Sequence, residues 1–229
     1  MYFPTICVDN FFDDPQAVRD LAFSLSFSEK NYRYPGEKTK PLHEVAPEYF
    51  DYFCRRLMGV FYDLRKFDDI SWNITTAFQL MAPYKNDDCV IDTGWIHRDQ
   101  NAFFAGVIYL TPEANLDAGT SVFNSKIVGQ VPINLDKRHK LFTTNVADQE
   151  IKQAIEESNN RFVKTIEFKN VYNRMIAYGG EKFHGVNSFT NNDTEQRLTQ
   201  VFFVNSVVAD WYPIPHSKLG GSGSYGGKE

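Results

Sequence analysis

The stretch Ile74-Thr75-Thr76-Ala77-Phe78-Gln79-Leu80-Met81 decides the fold class, because the periodicity of the chain changes there. Ile74, Thr76, Phe78 and Leu80 alternate with Thr75, Ala77, Gln79 and Met81, a period of two that predicts a strand. Upstream the period is helical. Asp14-Pro15 supplies an N-cap followed by proline at the first helical position, and Val18, Leu21, Ala22 and Leu25 then form one apolar stripe. A second helix is predicted from Pro47 to about Asp63–Arg65, with Phe50, Phe53, Cys54, Leu57, Phe61 and Leu64 on one face. Between the two helices, Tyr34-Pro35-Gly36 is a turn signal.

Downstream the strand pattern recurs at Phe103–Leu110, Thr120–Phe123, Phe162–Phe168, Met175–Tyr178 and Arg197–Val208. A short helix is expected within Val146–Glu157, where Ile151, Ala154 and Ile155 share a face. Helices followed by a run of short strands indicate a mostly β (α+β) chain, favouring a sandwich or jelly-roll barrel. The expected organisation is one domain over residues 1–218, with helical support over 1–70 and a β core over about 71–210. Residues 219–229, rich in Gly and Ser, read as a flexible tail.

Composition narrows the function classes. The 229 residues include 24 Lys+Arg against 29 Asp+Glu, a net charge of −5, which argues against binding to a nucleic-acid duplex. With 42% hydrophobic and 23% charged residues the chain is not disordered, and no apolar run approaches membrane-spanning length. The acidic start MYFPTICVDNFFDD has no signal-peptide pattern, so a cytoplasmic location is the expectation. Three widely spaced cysteines, Cys7, Cys54 and Cys89, fit neither a disulfide framework nor a CxxC metal site. No H-E-x-x-H supports a zinc hydrolase, and no G-x-S-x-G supports a nucleophilic one.

With five histidines in the chain, the place of each is informative. His97-Arg98-Asp99 precedes the Phe103–Leu110 strand, and His184 lies in Lys182-Phe183-His184-Gly185-Val186. Arg197-Leu198-Thr199 opens the last long strand, whose period of two puts Arg197 and Thr199 on one face. Two His and a carboxylate can occupy one face of an octahedral Fe(II) and leave three positions open. An arginine fork suits the far carboxylate of a keto-diacid, because it donates two parallel hydrogen bonds and stays charged. Taken singly, each piece has a plainer reading: a surface turn, a loop histidine, a salt-bridged strand edge. Their order along the chain favours a metal centre.

These residues resemble the Fe(II)/2-oxoglutarate-dependent dioxygenases, in particular the prolyl-hydroxylase-like branch. Val107-Ile108-Tyr109-Leu110-Thr111-Pro112 and Asp117-Ala118-Gly119-Thr120-Ser121-Val122-Phe123 look like that family's "YLN … GGET.F" segment, with Ala118 in place of the first glycine. The resemblance spans roughly Thr75 to Val208; the helices before it look, less specifically, like poorly characterised bacterial and viral members. It implies a double-stranded β-helix (jelly-roll, cupin-like) with supporting amino-terminal helices. His97, Asp99 and His184 would be the Fe(II) ligands. Arg197 would hold the 2-oxoglutarate C5 carboxylate, Thr199 would assist it, and the Tyr109 hydroxyl would do so too unless Tyr109 is an ordinary half-buried strand aromatic.

The implied activity is an oxidoreductase that consumes 2-oxoglutarate and O₂, releases succinate and CO₂, and hydroxylates a C–H bond of a peptide or small-molecule substrate. Asp99 keeps the carboxylate that halogenases of the superfamily lack, which favours hydroxylation. Gln79 and Met81 are candidates to touch the co-substrate, and Trp95, behind the acidic Asp87, Asp88 and Asp92, to touch substrate. His43, His139 and His216 read as loop or surface residues, and Asp136–Lys140 as a solvated face. The competing class is a non-catalytic β-helix domain that binds a metabolite or a protein partner.

Overall fold

A computed structural model describes residues 3–27, 29–30, 36–65, 69–127, 135–144, 147–190, 196–210 and 212–213. The amino-terminal part runs β1 (Ile6–Val8), α1 (Pro15–Ser24), β2 (Glu29–Lys30), β3 (Glu37–Lys38), α2 (Leu42–Val45) and α3 (Pro47–Phe61). Then follow β4 (Ser71–Met81), β5 (Tyr84–Lys85), β6 (Val90–Ile91), β7 (Phe104–Tyr109) and β8 (Thr120–Ser125). The remainder is α4 (Leu135–Thr144), α5 (Gln149–Asn159), β9 (Phe162–Phe168), β10 (Met175–Gly179), β11 (Phe183–Val186) and β12 (Arg197–Val208). The chain is thus mostly β, with α1–α3 ahead of the long strand β4 and α4 and α5 between β8 and β9, and the strand pairs among the described residues are antiparallel.

A seven-stranded sheet has the order β1-β10-β7-β12-β4-β3-β2, and a three-stranded sheet the order β11-β8-β9. The longest strand, β12, lies between β4 and β7, with Thr199 opposite both Gln79 and Tyr109. Alternation sends the two faces of the large sheet to different neighbours. Phe78, Phe104, Ile108, Leu198 and Phe202 face the helical core, where they meet Val18 and Ala22 of α1 and Phe53, Leu57 and Phe61 of α3. Tyr109, Val107, Ile176 and Tyr178 face the other way and meet Val122 and Phe168 of the small sheet. Each fully buried Phe or Leu stabilises by about 1.5–3 kcal/mol.

The helix starts follow their sequence signals. Asp14 accepts a hydrogen bond from the Ala17 N–H at 3.0 Å, and prolines stand in the first turns of α1 and α3. α3 ends at Phe61, short of the expected Asp63–Arg65, because Tyr62 is already extended. Gly36 has φ 75°, and a side chain there would place its Cβ 2.0 Å from the Leu80 carbonyl oxygen, so glycine is required where the chain enters β3. Tyr34 and Pro35 of the expected turn, His216 and the 219–229 tail lie outside the described residues. His43 sits in the short helix α2 rather than in a loop. Residues Asp136–Lys140, expected as a solvated face, belong to α4, and Arg138 turns inward from it. No helix among the described residues is long and apolar enough to cross a membrane.

Candidate metal centre and carboxylate pocket

His97 and His184 are neighbours through their backbones. The His97 N–H donates to the His184 carbonyl and the His184 N–H to the His97 carbonyl, both at 2.9 Å, an isolated bridge joining the segment before β7 to β11. The Asp99 N–H donates to the Gly180 carbonyl at 3.1 Å. A Cβ on Gly180 would lie 1.9 Å from the Ala102 carbonyl oxygen and 2.7 Å from that of Asp99, so glycine there lets the Asp99 turn close against the end of β10.

The three side chains converge: their ligating atoms all lie within 4.8 Å of one another. The Asp99 carboxylate is 3.2 Å from His184 Nε2 and 3.9 Å from His97 Nε2. His97 Nδ1 is 2.9 Å from the Trp95 carbonyl oxygen, and His184 Nδ1 is 3.0 Å from that of Lys182. Each carbonyl accepts from an Nδ1–H, which fixes the tautomer and turns the Nε2 lone pair toward the cluster, the arrangement metal-bound histidines use. Burial and the adjacent His184 push the His97 ring down to about 4, so it is neutral near pH 7. Burial works to raise the Asp99 carboxyl, but the contact with His184 and the positive charge around it, that of Lys38 included, hold it below its ordinary value. A neutral ring and a carboxylate are the protonation states that ligation requires.

Beside the cluster lies a cavity of 570 Å³ whose walls include His97, Asp99, His184, Arg197 and Thr199. That volume suits a small-molecule site. Arg197 is 1% exposed and Thr199 is fully buried. The guanidinium lies over the Tyr109 ring at 5.4 Å, and its Nη1 reaches the Ser188 carbonyl at a long 3.4 Å. Its Nε is buried without a hydrogen-bond partner among the described residues. Burial lowers its pKa, and the groups opposing that shift are the tyrosines Tyr109 and Tyr178, with no carboxylate among them. Among the described residues no acid stands beside it, and a buried cation so placed is unfavourable by several kcal/mol until an anion arrives.

The structure brings His97, Asp99, His184, Arg197 and Thr199 to one cavity. Tyr109 stands behind it: its hydroxyl donates to Thr120 Oγ1 at 2.9 Å, while its ring lies beneath Arg197. Gln79 and Met81 both line the cavity, as does Trp95, which is 3% exposed. Tyr178 was not anticipated. It lines the cavity from β10 with its ring 4.4 Å from that of His184, and no local pattern in the sequence distinguishes it from a core tyrosine.

Two further anchors hold the metal segment. Asn159, at the end of α5, accepts from the Ile96 N–H and donates to the Gly94 carbonyl, each at 2.9 Å. Asp92 belongs to the acidic stretch ahead of Trp95, whose plainer reading is a solvated turn, yet its carboxylate accepts from Ser188 Oγ at 2.7 Å, the Phe189 N–H at 3.0 Å, the Thr190 N–H at 2.7 Å and Thr190 Oγ1 at 2.6 Å. Asp87 and Asp88 are exposed, as a solvated turn requires. Replacing Asp92 leaves those donors unanswered, so Asp92→Ala should lose about 2–4 kcal/mol in urea unfolding while keeping metal affinity.

In fold the chain is similar to EvdO2 from Micromonospora carbonacea var. aurantiaca, with a TM-score of 0.50, 12% identity, and coverage of 92% of this chain and 90% of that one. EvdO2 has also been solved complexed with 2-oxoglutarate, at a TM-score of 0.49. HygX from Streptomyces hygroscopicus, solved with nickel and 2-oxoglutarate bound, gives a TM-score of 0.47 and 10% identity over 87% of this chain and 82% of that one. A prolyl hydroxylase from Trichoplax adhaerens, in complex with a hypoxia inducible factor peptide fragment, gives 0.44 and 11% over 87% and 82%.

The chain belongs to a family of unknown function, DUF6445, whose model matches residues 3–204. No curated protein matches its sequence.

Proposed function

We propose that the protein is an Fe(II)- and 2-oxoglutarate-dependent dioxygenase that hydroxylates a C–H bond of a peptidyl or small-molecule substrate. The observation that carries this reading is the buried Arg197, without an acid partner among the described residues, on the cavity that the His97, Asp99 and His184 side chains also line. A metal cluster alone would suit a hydrolase equally well. A dry guanidinium beside it adds the anchor for a second, distal carboxylate, which a keto-diacid chelated at the metal would present.

Bound together at such a site, Fe(II), 2-oxoglutarate and O₂ supply the oxidising power for C–H hydroxylation, with succinate and CO₂ released. The chain's own groups do the rest. His97, Asp99 and His184 would hold the ion through three ligand atoms, fewer than an octahedral ion accepts. Arg197 and Thr199 hold the far carboxylate. Tyr109 cannot donate to that carboxylate while its hydroxyl donates to Thr120, so its part is to orient the guanidinium through its ring face. Trp95 and Phe189 present apolar wall to the remaining space and limit water there.

The two antiparallel sheets flanking this cavity support the reading of the β core as a double-stranded β-helix, with residues 1–70 as helical support within one domain over 1–218. Action in the cytoplasm is part of the same proposal and accords with Cys7, Cys54 and Cys89 as free thiols. The test is whether 2-oxoglutarate adds a visible charge-transfer band to the anaerobic Fe(II)-loaded protein.

A further inference from the structure

The polar side chains on the cavity are largely engaged within the fold. Lys38, Gln79 and Arg138 have interactions of their own, Thr76 Oγ1 donates to the Val201 carbonyl at 2.8 Å, and Arg98 stacks on the Phe183 ring at 4.5 Å. Tyr178 differs. It is 5% exposed and packs its ring on His184, yet among the described residues its hydroxyl makes no hydrogen bond. The other tyrosine on this face of the sheet, Tyr109, has its hydroxyl on Thr120. A buried hydroxyl without a partner is unfavourable, and phenylalanine would fill the same space without that cost.

The place of Tyr178 is fixed by rigid backbone. It lies on β10, opposite Ala105 of β7, two residues before the Gly180 carbonyl that accepts from the Asp99 N–H. Besides burial, the charges acting on its hydroxyl are those of Asp99, Tyr109 and Arg197. Asp99 and Arg197 themselves are not among the groups that act on each other. The hydroxyl therefore stands within reach of both ends of the site, the metal ligands and the carboxylate anchor, while the two ends are out of reach of one another.

2-Oxoglutarate, placed as above, would span those ends. Its far carboxylate is taken by Arg197 and Thr199, and its middle carbons offer no acceptor. The oxygens left are those of the metal-bound end, and the 2-oxo oxygen is the nearer of them to the chain that leads to Arg197. We propose that Tyr178 is a positioning residue for the co-substrate, its hydroxyl donating a hydrogen bond to the 2-oxo oxygen of 2-oxoglutarate. The inference rests on the oxygenase reading and gives the otherwise idle hydroxyl a partner only when co-substrate is bound.

The experiment compares wild type with Tyr178→Phe, which keeps the ring on His184 and removes the hydroxyl alone. 2-Oxoglutarate is titrated calorimetrically into the Mn(II)-loaded proteins, and the visible band is recorded on the anaerobic Fe(II)-loaded ones. The variant should bind 2-oxoglutarate about three- to tenfold more weakly, with Mn(II) affinity unchanged and the melting temperature of the apoprotein not lowered. Its charge-transfer maximum should move to shorter wavelength, because a hydrogen bond to the oxo group lowers the orbital that receives the electron. Undiminished affinity with an unmoved band overturns the proposal while leaving the oxygenase reading intact. So does weaker binding with an unmoved band, since the hydroxyl would then serve the far carboxylate. Loss of Mn(II) affinity also overturns it, because Tyr178 would then support the metal ligands. A folded wild-type protein that binds no 2-oxoglutarate overturns both readings together.

Discussion

Arg197→Met should abolish 2-oxoglutarate binding and, without ligand, raise the melting temperature. Both halves follow from one observation: among the described residues, a guanidinium 1% exposed whose Nε has no partner and which no carboxylate neutralises. Two charge-assisted hydrogen bonds to a carboxylate, at about 1.5–3 kcal/mol each, put the loss of affinity at roughly 10²–10⁴-fold. The apoprotein meanwhile is relieved of an uncompensated buried charge, and a methionine fills most of the same space. A structural arginine would behave oppositely: its loss would lower the melting temperature and leave ligand binding alone. Titration of Mn(II)-loaded protein with 2-oxoglutarate, beside melting curves of the apo forms, separates the two. Metal affinity should not change, because Arg197 is absent from the ligating group.

His184→Ala should remove metal binding and leave the fold in place. The backbone of His184 makes both hydrogen bonds to His97, and alanine keeps them. β11 also keeps its pairing with β8 from Phe183 to Val186. What is lost is one of three converging ligand atoms. Losing an outer hydrogen-bond partner of a ligand commonly costs 10–100-fold in metal affinity, so losing the ligand itself should cost more than about 100-fold. Equilibrium dialysis with Mn(II), alongside circular dichroism, reads both effects. A variant that keeps full affinity would show that the metal, if bound, sits elsewhere.

Much of the scaffold was legible because its strands bury on two faces or alternate cleanly. β4 and β12 span eleven and twelve residues, long enough for the period of two to declare itself, and the bounds of β9 and β12 match the expected ones. The two-residue strands β2, β3, β5 and β6 are too short to show any period, and they exist through their partners. α4 was hidden by its composition: Leu135-Asp-Lys-Arg-His-Lys reads as a solvated charge run.

The site divides in the same way. His97, Asp99, His184, Arg197 and Thr199 are chemically distinctive types in a telling order, and the structure brings their side chains to one cavity. For Tyr109 the sequence leaves both readings open, co-substrate aid and plain strand aromatic, and its contacts are a hydroxyl on Thr120 and a ring beneath Arg197. Lys38 and Arg138 carried no local signal. One reaches the cavity because Gly36 lets the chain press against Leu80, the other because α4 turns Arg138 inward, and neither event is written in a local periodicity. Asp92 likewise became a clamp through residues 188–190, which meet it only in the folded chain.

The most direct measurement is an absorption spectrum. Protein loaded anaerobically with Fe(II) is titrated with 2-oxoglutarate, and the difference spectrum is followed in the visible region. A weak charge-transfer band should grow and saturate at one 2-oxoglutarate per iron, and should be missing in His184→Ala. A folded wild-type protein that binds Fe(II) but shows no such band at saturating 2-oxoglutarate would contradict an oxygenase built on His97, Asp99, His184 and Arg197.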